Sequence, residues 1–381
     1  MRIKEIDGLR AIAIAAVFWH HYMSWVKYSG AVYGWAGVDM FFVISGFLIT
    51  SILVDLKFSD KSYFKTFYAR RAFRIFPAYY FILLLYLLFS LSVQKLPAFS
   101  LWIQYILYYS SLHFGQPNFH LYKISPTVML GLGVLWSLSV EEIFYTLWAP
   151  LVRFINHRYF FIFLPSVILI CPLLRWHFHT YEHAESFSFL FRMDALSIGA
   201  LAALLYRERN DSVRLRSWDT IFDRSCVGFS VIAVAFLGWT SGSLAIRSVS
   251  SFGMSLVDLW FGLIIYAAVR HSGENAFWLR RLRSPTLSFF AKISYSLYLI
   301  HYSMLMIAKN LCSYLHLPKR EDAILATLAG SVFSIVAAYA MWCFVESPPM
   351  KMKDKLFPST AVDHIKSPRE NQEFHMTSTT S

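Results

Sequence analysis

Apolar stretches long enough for helices of about 17–25 residues recur from Leu9 to Val345, with no large polar block between them. That recurrence decides most of what the chain can become. A transmembrane barrel would show segments of about ten residues that alternate in polarity. These runs are continuous instead, which points to an all-α, polytopic membrane protein. Only 15% of the side chains are charged and 57% are hydrophobic, whereas soluble domains carry about a quarter charged residues. The mean hydropathy is +0.47. The opening Met-Arg-Ile-Lys-Glu-Ile-Asp-Gly has no small-residue cleavage site before the next span, so it reads as a retained first helix rather than a signal peptide. Cys171, Cys226, Cys312 and Cys343 form no CxxC pair, which favours buried thiols over a disulfide framework or a metal site.

Candidate spans lie near 9–25, 34–55, 76–93, 134–154, 158–175, 187–206, 226–242, 251–270, 288–309 and 323–345. The further stretch 99–113 is the ambiguous one, because its crossing would move every later loop to the opposite side. With a cytoplasmic N-terminus and no crossing there, most of the 35 Lys and Arg residues fall inside. They are Arg2, Lys4 and Arg10, the run from Lys57 to Arg74, Arg153 and Arg158, the clusters Arg207 to Arg224 and Arg270 to Arg283, and the tail from Lys351. A crossing would put the 207–224 and 270–283 clusters outside, against the positive-inside bias. The expectation is therefore about ten transmembrane helices in the cell inner membrane. Both termini are expected in the cytoplasm, with 99–113 re-entrant or interfacial between Pro97 and the Gly115–Gln116–Pro117 turn. Residues 1–350 form the membrane domain, and 351–381 a flexible polar tail. The formal charge of +12 sits in short loops between spans, the pattern of topology determinants rather than of a nucleic-acid stripe.

An ionisable group within a span is expensive unless paired, so each is a functional candidate. Arg10 and His21 are eleven residues apart in the first helix, which returns to within about 20° of the same face with a rise of about 16 Å. His20 points about 100° away, which makes His21 the better partner of that face. An interfacial imidazole among Trp19, Tyr22 and Trp25 is the competing reading. Asp39, at the start of the second helix, could orient and charge-stabilise His21 as a general base, or simply cap its helix. Arg70, Arg71 and Arg74 stand at the cytosolic entrance of the third helix. Positive-inside charge explains such a cluster, and so does a phosphate clamp of bidentate guanidinium groups.

Glu141 and Glu142 are adjacent carboxylates inside an apolar span, about 100° apart, so only one can face a given partner. Packing does not account for them. Arg192 with Asp194 reads as an intramembrane ion pair with other helices or as part of a site. His301 lies in the ninth span, where a buried polar contact is the simpler reading. Glu346, before Pro348 and Pro349, closes the last helix. His177, His179 and His183 lie in one outer loop without a second anchored cluster, which argues against a metal site.

The strings IDGLRAIAIAAVFWHH, GVDMFFVISGFLIT, YARRAFRIFPAYY, LWSLSVEEIFY, FRMDALSIGALAA and ISYSLYLIHY, in this order, make the chain resemble the acyltransferase-3 family of integral membrane acyltransferases. They span residues 6–302, and Glu346-Ser-Pro extends the match to the last helix. The doubled His20-His21 departs from the family pattern, whose Arg-x10-His spacing selects His21. The resemblance implies an acetyl-CoA-dependent O-acetyltransferase that acylates a hydroxyl on a carbohydrate such as O-antigen or exopolysaccharide, in a stand-alone form without a fused SGNH domain. It implies His21 as base with Asp39 behind it, and Glu141 or Glu142 in the catalytic cavity. It also implies Arg10, Arg70, Arg71 and Arg74 on the CoA phosphates, and Arg192, Asp194 and His301 toward the substrate. Acyl-CoA, a carbohydrate acceptor and the lipid bilayer are then the partners, with no permanently bound cofactor, no metal and no nucleic acid.

Two other classes compete. A transporter or flippase would use buried charges as a substrate or proton relay, but calls for inverted repeats and broken helices, and neither is visible. A scaffold without turnover would have no need of His21 together with the arginine cluster.

Overall fold

The computed structural model describes residues 3–26, 30–59, 62–94, 99–112, 131–179, 188–211, 216–217, 219–240 and 246–357. Pro97, the 115–117 turn, His183 and the tail beyond residue 357 lie outside them. Among the described residues all regular structure is helical. In chain order the helices are α1 (Lys4–Met23), α2 (Ala36–Ser59), α3 (Tyr63–Ser92), the short α4 (Phe99–Ile106), α5 (Trp136–Phe154), α6 (His157–His177) and α7 (Met193–Asp211). They continue with α8 (Asp219–Thr240), α9 (Met254–Arg270), the short α10 (Phe277–Leu282), α11 (Pro285–Ser313), α12 (Lys319–Met341) and α13 (Ser347–Leu356).

Six helical stretches among the described residues are long and apolar enough to cross a membrane: Ala31–Phe58, Tyr63–Ser92, His157–His177, Asp219–Thr240, Val249–Arg270 and Lys319–Leu356. The expectation of about ten spans is met only in part, and the difference has a physical origin. Helices α1, α5, α7 and α11 are comparably long, but they carry Arg10, the Glu141–Glu142 pair, Asp194, and a run of Ser, Tyr and His that ends at His301. Three of these four helices, α1, α5 and α11, also line the cavity described below. Helix α8 is the opposite case, with Val227, Val231, Ile232, Val234 and Trp239 exposed. A contiguous apolar face of that kind fits lipid.

Side-chain contacts fix the directions of the helices. Ser45, Thr50 and Lys57 of α2 bond to Glu141, Trp148 and Val152 of α5 in the same order, so the two run parallel. Tyr63 and Tyr68 of α3 reach the carbonyls of Ala149 and Thr146 in reverse order, so α3 runs antiparallel to α5. Helices α1 and α11 run parallel, with Gly8 against Leu282 just ahead of α11 and His21 against His301 farther along. Helices α2 and α7 cross at two glycines: a Cβ on Gly46 would overlap the carbonyl oxygen of Leu196, and one on Gly199 that of Val43. Glycine lets two backbones touch in this way.

Between α3 and α5, helix α4 has eight residues, a rise of about 12 Å against a hydrocarbon core of about 30 Å. Tyr108, at φ 56°, ends it in the left-handed region, and a 3-10 turn follows at Ser110–Leu112. Tyr79 and Tyr80, in the middle of α3, donate to the carbonyls of Tyr105 (2.8 Å) and Ile106 (3.0 Å). Ser139 donates to the Tyr108 carbonyl at 2.6 Å. At the other end of the chain, residues 351–356, expected to open a flexible tail, continue as α13. The reason is local: Lys353 is buried, and Arg70 of α3 bonds to Asp354 at 3.4 Å and to the Phe357 carbonyl.

Candidate active site

A cavity of about 630 Å³ lies between α1, α2, α3, α5, α11 and α13. That volume falls within the range of roughly 300–1,000 Å³ found for small-molecule sites. Arg10, Arg70, Arg71 and Arg74 all line it, joined by Lys353. Arg70 and Arg74 are four residues apart and share a face of α3. Arg71, turned about 100° from Arg70, lies over the Tyr145 ring at 4.9 Å. Arg10, Arg71 and Arg74 are within electrostatic reach of one another, with Asp7, Glu141 and Glu346 as nearby opposite charges.

Glu141 faces this cavity, where Ser45 donates to its Oε1 (2.8 Å) and Tyr145 to its Oε2 (2.7 Å). Glu142 does not line it, and its buried Oε1 has no hydrogen-bond partner. The 100° offset of adjacent helical residues thus separates the pair, with Glu141 on the cavity side. Glu346, read from sequence as a helix terminator, sits in a π-helical turn at Trp342–Glu346. It accepts a hydrogen bond from Ser296 and stands within electrostatic reach of Arg74 and Arg10.

His21 does not line the cavity. Near the far end of α1, its Nδ1 lies 3.0 Å from Nε2 of His301, and its ring centroid 4.5 Å from that of Tyr302. Nδ1 of His301 is 2.8 Å from the Tyr298 carbonyl. Tyr298 is itself part of the cavity wall, with its hydroxyl 2.9 Å from the Val134 carbonyl and 2.7 Å from Ser137 Oγ. A run of contacts therefore leads from the cavity wall through Tyr298 and His301 to His21. Nδ1 of His20 is engaged elsewhere, 2.7 Å from the Ala31 carbonyl.

The expected pairing of Asp39 with His21 is replaced by another. Asp39 is fully buried and forms an ion pair with Arg192, whose guanidinium also lies over Phe42 (5.4 Å) and Trp136 (5.9 Å). Asp39 with Arg192 at one end and Asp55 with Arg207 (2.6 Å) at the other show that α2 and α7 run parallel, which sets Asp39 opposite Arg192. Asp194 makes a second buried pair, accepting from Arg175 of α6 at 3.0 and 2.6 Å. Arg175 also donates to Ser255 Oγ (2.6 Å) and to the Ser251 carbonyl (2.9 Å). Arg192 and Asp194, expected toward the substrate, are thus held in ion pairs away from the large cavity, and His301 meets His21 rather than the cavity. Asp258 of α9 is buried in the same belt, within electrostatic reach of Arg192, Arg175 and Asp194, with both carboxyl oxygens lacking a hydrogen-bond partner.

Arg175, Asp258, Tyr298 and Lys353 escaped the sequence reading. Arg175 sits at the end of a span, where a cation normally counts as a topology signal. Tyr298 precedes His301 by three residues, on the same helix face, a spacing that could have linked them. Among the described residues no group of three or more His, Cys, Asp or Glu side chains is arranged to hold a metal. His179, of the outer histidine trio, lies 3.1 Å from Ser250.

A family model described as an acyltransferase domain matches residues 3–343. O-acetyltransferase OatA of Staphylococcus aureus is 28% identical over 375 residues, covering 93% of this chain and 58% of the relative. Peptidoglycan O-acetyltransferase OatA of Listeria monocytogenes is 36% identical over 150 residues, 38% of this chain and 23% of the relative. A putative O-acetyltransferase of Staphylococcus aureus is 27% identical over 328 residues, covering 80% of this chain and 50% of the relative. The chain spans 58% or less of the length of these relatives. No solved structure matches. With its histidine pair and all of its cavity wall except Lys353 and Asp354 inside the matched residues, this multi-pass membrane protein belongs to the acyltransferase-3 family.

Proposed function

We propose that this chain is a membrane O-acyltransferase that moves an acetyl group from acetyl-CoA to a hydroxyl of a cell-envelope carbohydrate. The observation that carries the reading is the convergence of four arginines, from two helices, on one cavity of ligand size. Like charges at close quarters repel, so such a cluster is best balanced by a polyanion, and guanidinium groups bind phosphates bidentately. Acyl-CoA supplies both the phosphates and a reactive thioester. His21 takes the proton of the acceptor hydroxyl as that oxygen attacks the thioester carbonyl. The carbon–sulfur bond then breaks, and the CoA thiolate leaves with a proton, so no further reactant is needed. The protein supplies positioning, a base and polar stabilisation of the developing oxyanion.

The proposed layout puts the arginine end of the bundle at the cytosolic face of the inner membrane, with both termini on that side. It is supported by the parallel pairs α1–α11 and α2–α7, and by the antiparallel α3 and α5, an order that fits a re-entrant or interfacial 99–113 between them. Carbohydrate as the acceptor draws support from the Listeria relative, whose name specifies peptidoglycan. Peptidoglycan therefore joins O-antigen and exopolysaccharide as an acceptor to be tested.

Purified protein in detergent should release thiol from acetyl-CoA and acetylate a member of a panel of peptidoglycan fragments, O-antigen and exopolysaccharides. Absence of both thiol release and transfer across that panel defeats the reading. A cysteine placed near Arg280 should resist an impermeant reagent applied from the periplasmic side, and labelling there reverses the topology.

A further inference from the structure

We infer that His301 is the positioning residue of His21: it fixes the tautomer that leaves Nε2 of His21 as the free base. The inference rests on the reading of His21 as general base. It follows from which groups can donate and which can only accept.

The Tyr298 carbonyl accepts only, and it lies 2.8 Å from Nδ1 of His301, so that nitrogen carries the proton. A neutral imidazole has one N–H, which leaves Nε2 of His301 as a lone pair. That lone pair faces Nδ1 of His21 at 3.0 Å, so Nδ1 of His21 must donate. Nε2 of His21 then holds the remaining lone pair, in the role a hydroxyl proton requires. The Tyr298 carbonyl sets the direction at His301, and at His21 the Val17 carbonyl, one turn back on α1, is a second backbone acceptor for the ring.

The surroundings hold His301 to that task. Its side chain is fully buried, whereas His21 is only half-buried, so access is confined to the outer imidazole. The backbone of His301 is held as well. Tyr22, the neighbour of His21, donates to the His301 carbonyl at 2.7 Å and meets Ser334 Oγ of α12 at 2.6 Å. Two successive residues of α1 thus grip one residue of α11. Among the described residues the titratable groups around His21 are His20 on its own helix and His301 and Tyr302 on α11, and no carboxylate among them is hydrogen-bonded to it.

This differs from a carboxylate-backed base in a measurable way. A carboxylate behind an imidazole stabilises the imidazolium, whereas a neutral imidazole orients the ring without supplying a counter-charge. His301→Gln keeps an acceptor oxygen for Nδ1–H of His21, His301→Leu removes it, and His301→Glu replaces it with a charged one.

The test compares these variants and His21→Ala in purified full-length protein, with acetyl-CoA as donor and soluble peptidoglycan fragments as acceptor. Thiol release to water is read in parallel, and thermal stability in detergent reports folding. His301→Leu should lower kcat by about 10²–10⁴-fold, the range for general-base assistance, with the KM for acetyl-CoA near wild type. His301→Gln should recover activity to within about tenfold of wild type. His301→Glu should move the acidic limb of the pH–rate profile upward by about one unit, because the carboxylate holds His21 protonated to higher pH.

Wild-type kcat in His301→Leu, or equal loss in the Leu and Gln variants with both folded, overturns the inference. If His301→Leu does not fold, the Gln and Glu variants decide, and an unmoved acidic limb in the latter overturns it. Full activity in His21→Ala would sink the base assignment itself, a separate result from failure of the positioning role.

Discussion

Two regions of this bundle hold arginines in apolar surroundings, and they differ in what answers the charge. In the belt around α2, α6 and α7, Arg192 has Asp39 and Arg175 has Asp194, each pair closed off from solvent. In the cavity, Arg10, Arg71 and Arg74 crowd together, and Glu141 and Glu346 already spend hydrogen-bond capacity on Ser45, Tyr145 and Ser296. A paired cation in a dry interior is fastened to the fold; cations that share Asp7, Glu141 and Glu346 around an open cavity keep donors turned toward what enters it. Residue type and hydropathy alone do not separate the two cases. The counter-ions do.

The largest expected effect breaks the paired region. Asp194→Ala leaves Arg175 buried without its partner, which should destabilise the protein by about 3–5 kcal/mol. The double change Arg175→Met with Asp194→Leu should recover most of that loss. Thermal melting in detergent reads both, and a single variant as stable as wild type would erase the contrast.

A smaller effect belongs to the cavity. Arg74→Ala should raise the KM for acetyl-CoA roughly 10- to 100-fold, the loss of one charge-assisted contact of about 1.5–3 kcal/mol. Stability should hold or rise, because a like charge has gone. A fall in melting temperature with an unmoved KM would place Arg74 among the paired residues. Lys353→Ala should do least, raising KM a few-fold, since Lys353 is already engaged at 3.4 Å by Asp354, whose carboxylate is exposed to solvent.

The sequence carried much of this layout, for identifiable reasons. Helical class, the arginine cluster and the separation of Glu141 from Glu142 follow from runs and rotations within one helix, which a one-dimensional pattern records. Asp39 is where that logic stops. Its neighbour depends on how two helices cross, and no local pattern encodes the crossing, so a plausible partner at the bundle's same end was displaced by Arg192. His301 shows the same limit in reverse. A lone intramembrane histidine reads as a buried contact until the partner 280 residues away in the chain is seen beside it. Lys353 was hidden by composition, since a polar, lysine-rich stretch reads as a tail even where its aliphatic stems are packed.

The glycine crossing sets a limit on how the molecule can move. Asp39 precedes Gly46 by seven residues, and Arg192 precedes Gly199 by the same number, so the ion pair sits about 10 Å along both axes from the point where the backbones touch. Contact and pin together make a rigid strut: sliding is blocked by carbonyl oxygens already in contact, and splaying would tear a charge pair out of a dry interior. Helices α2 and α7 therefore move as one body, and α2 carries its share of the cavity wall on that fixed pair.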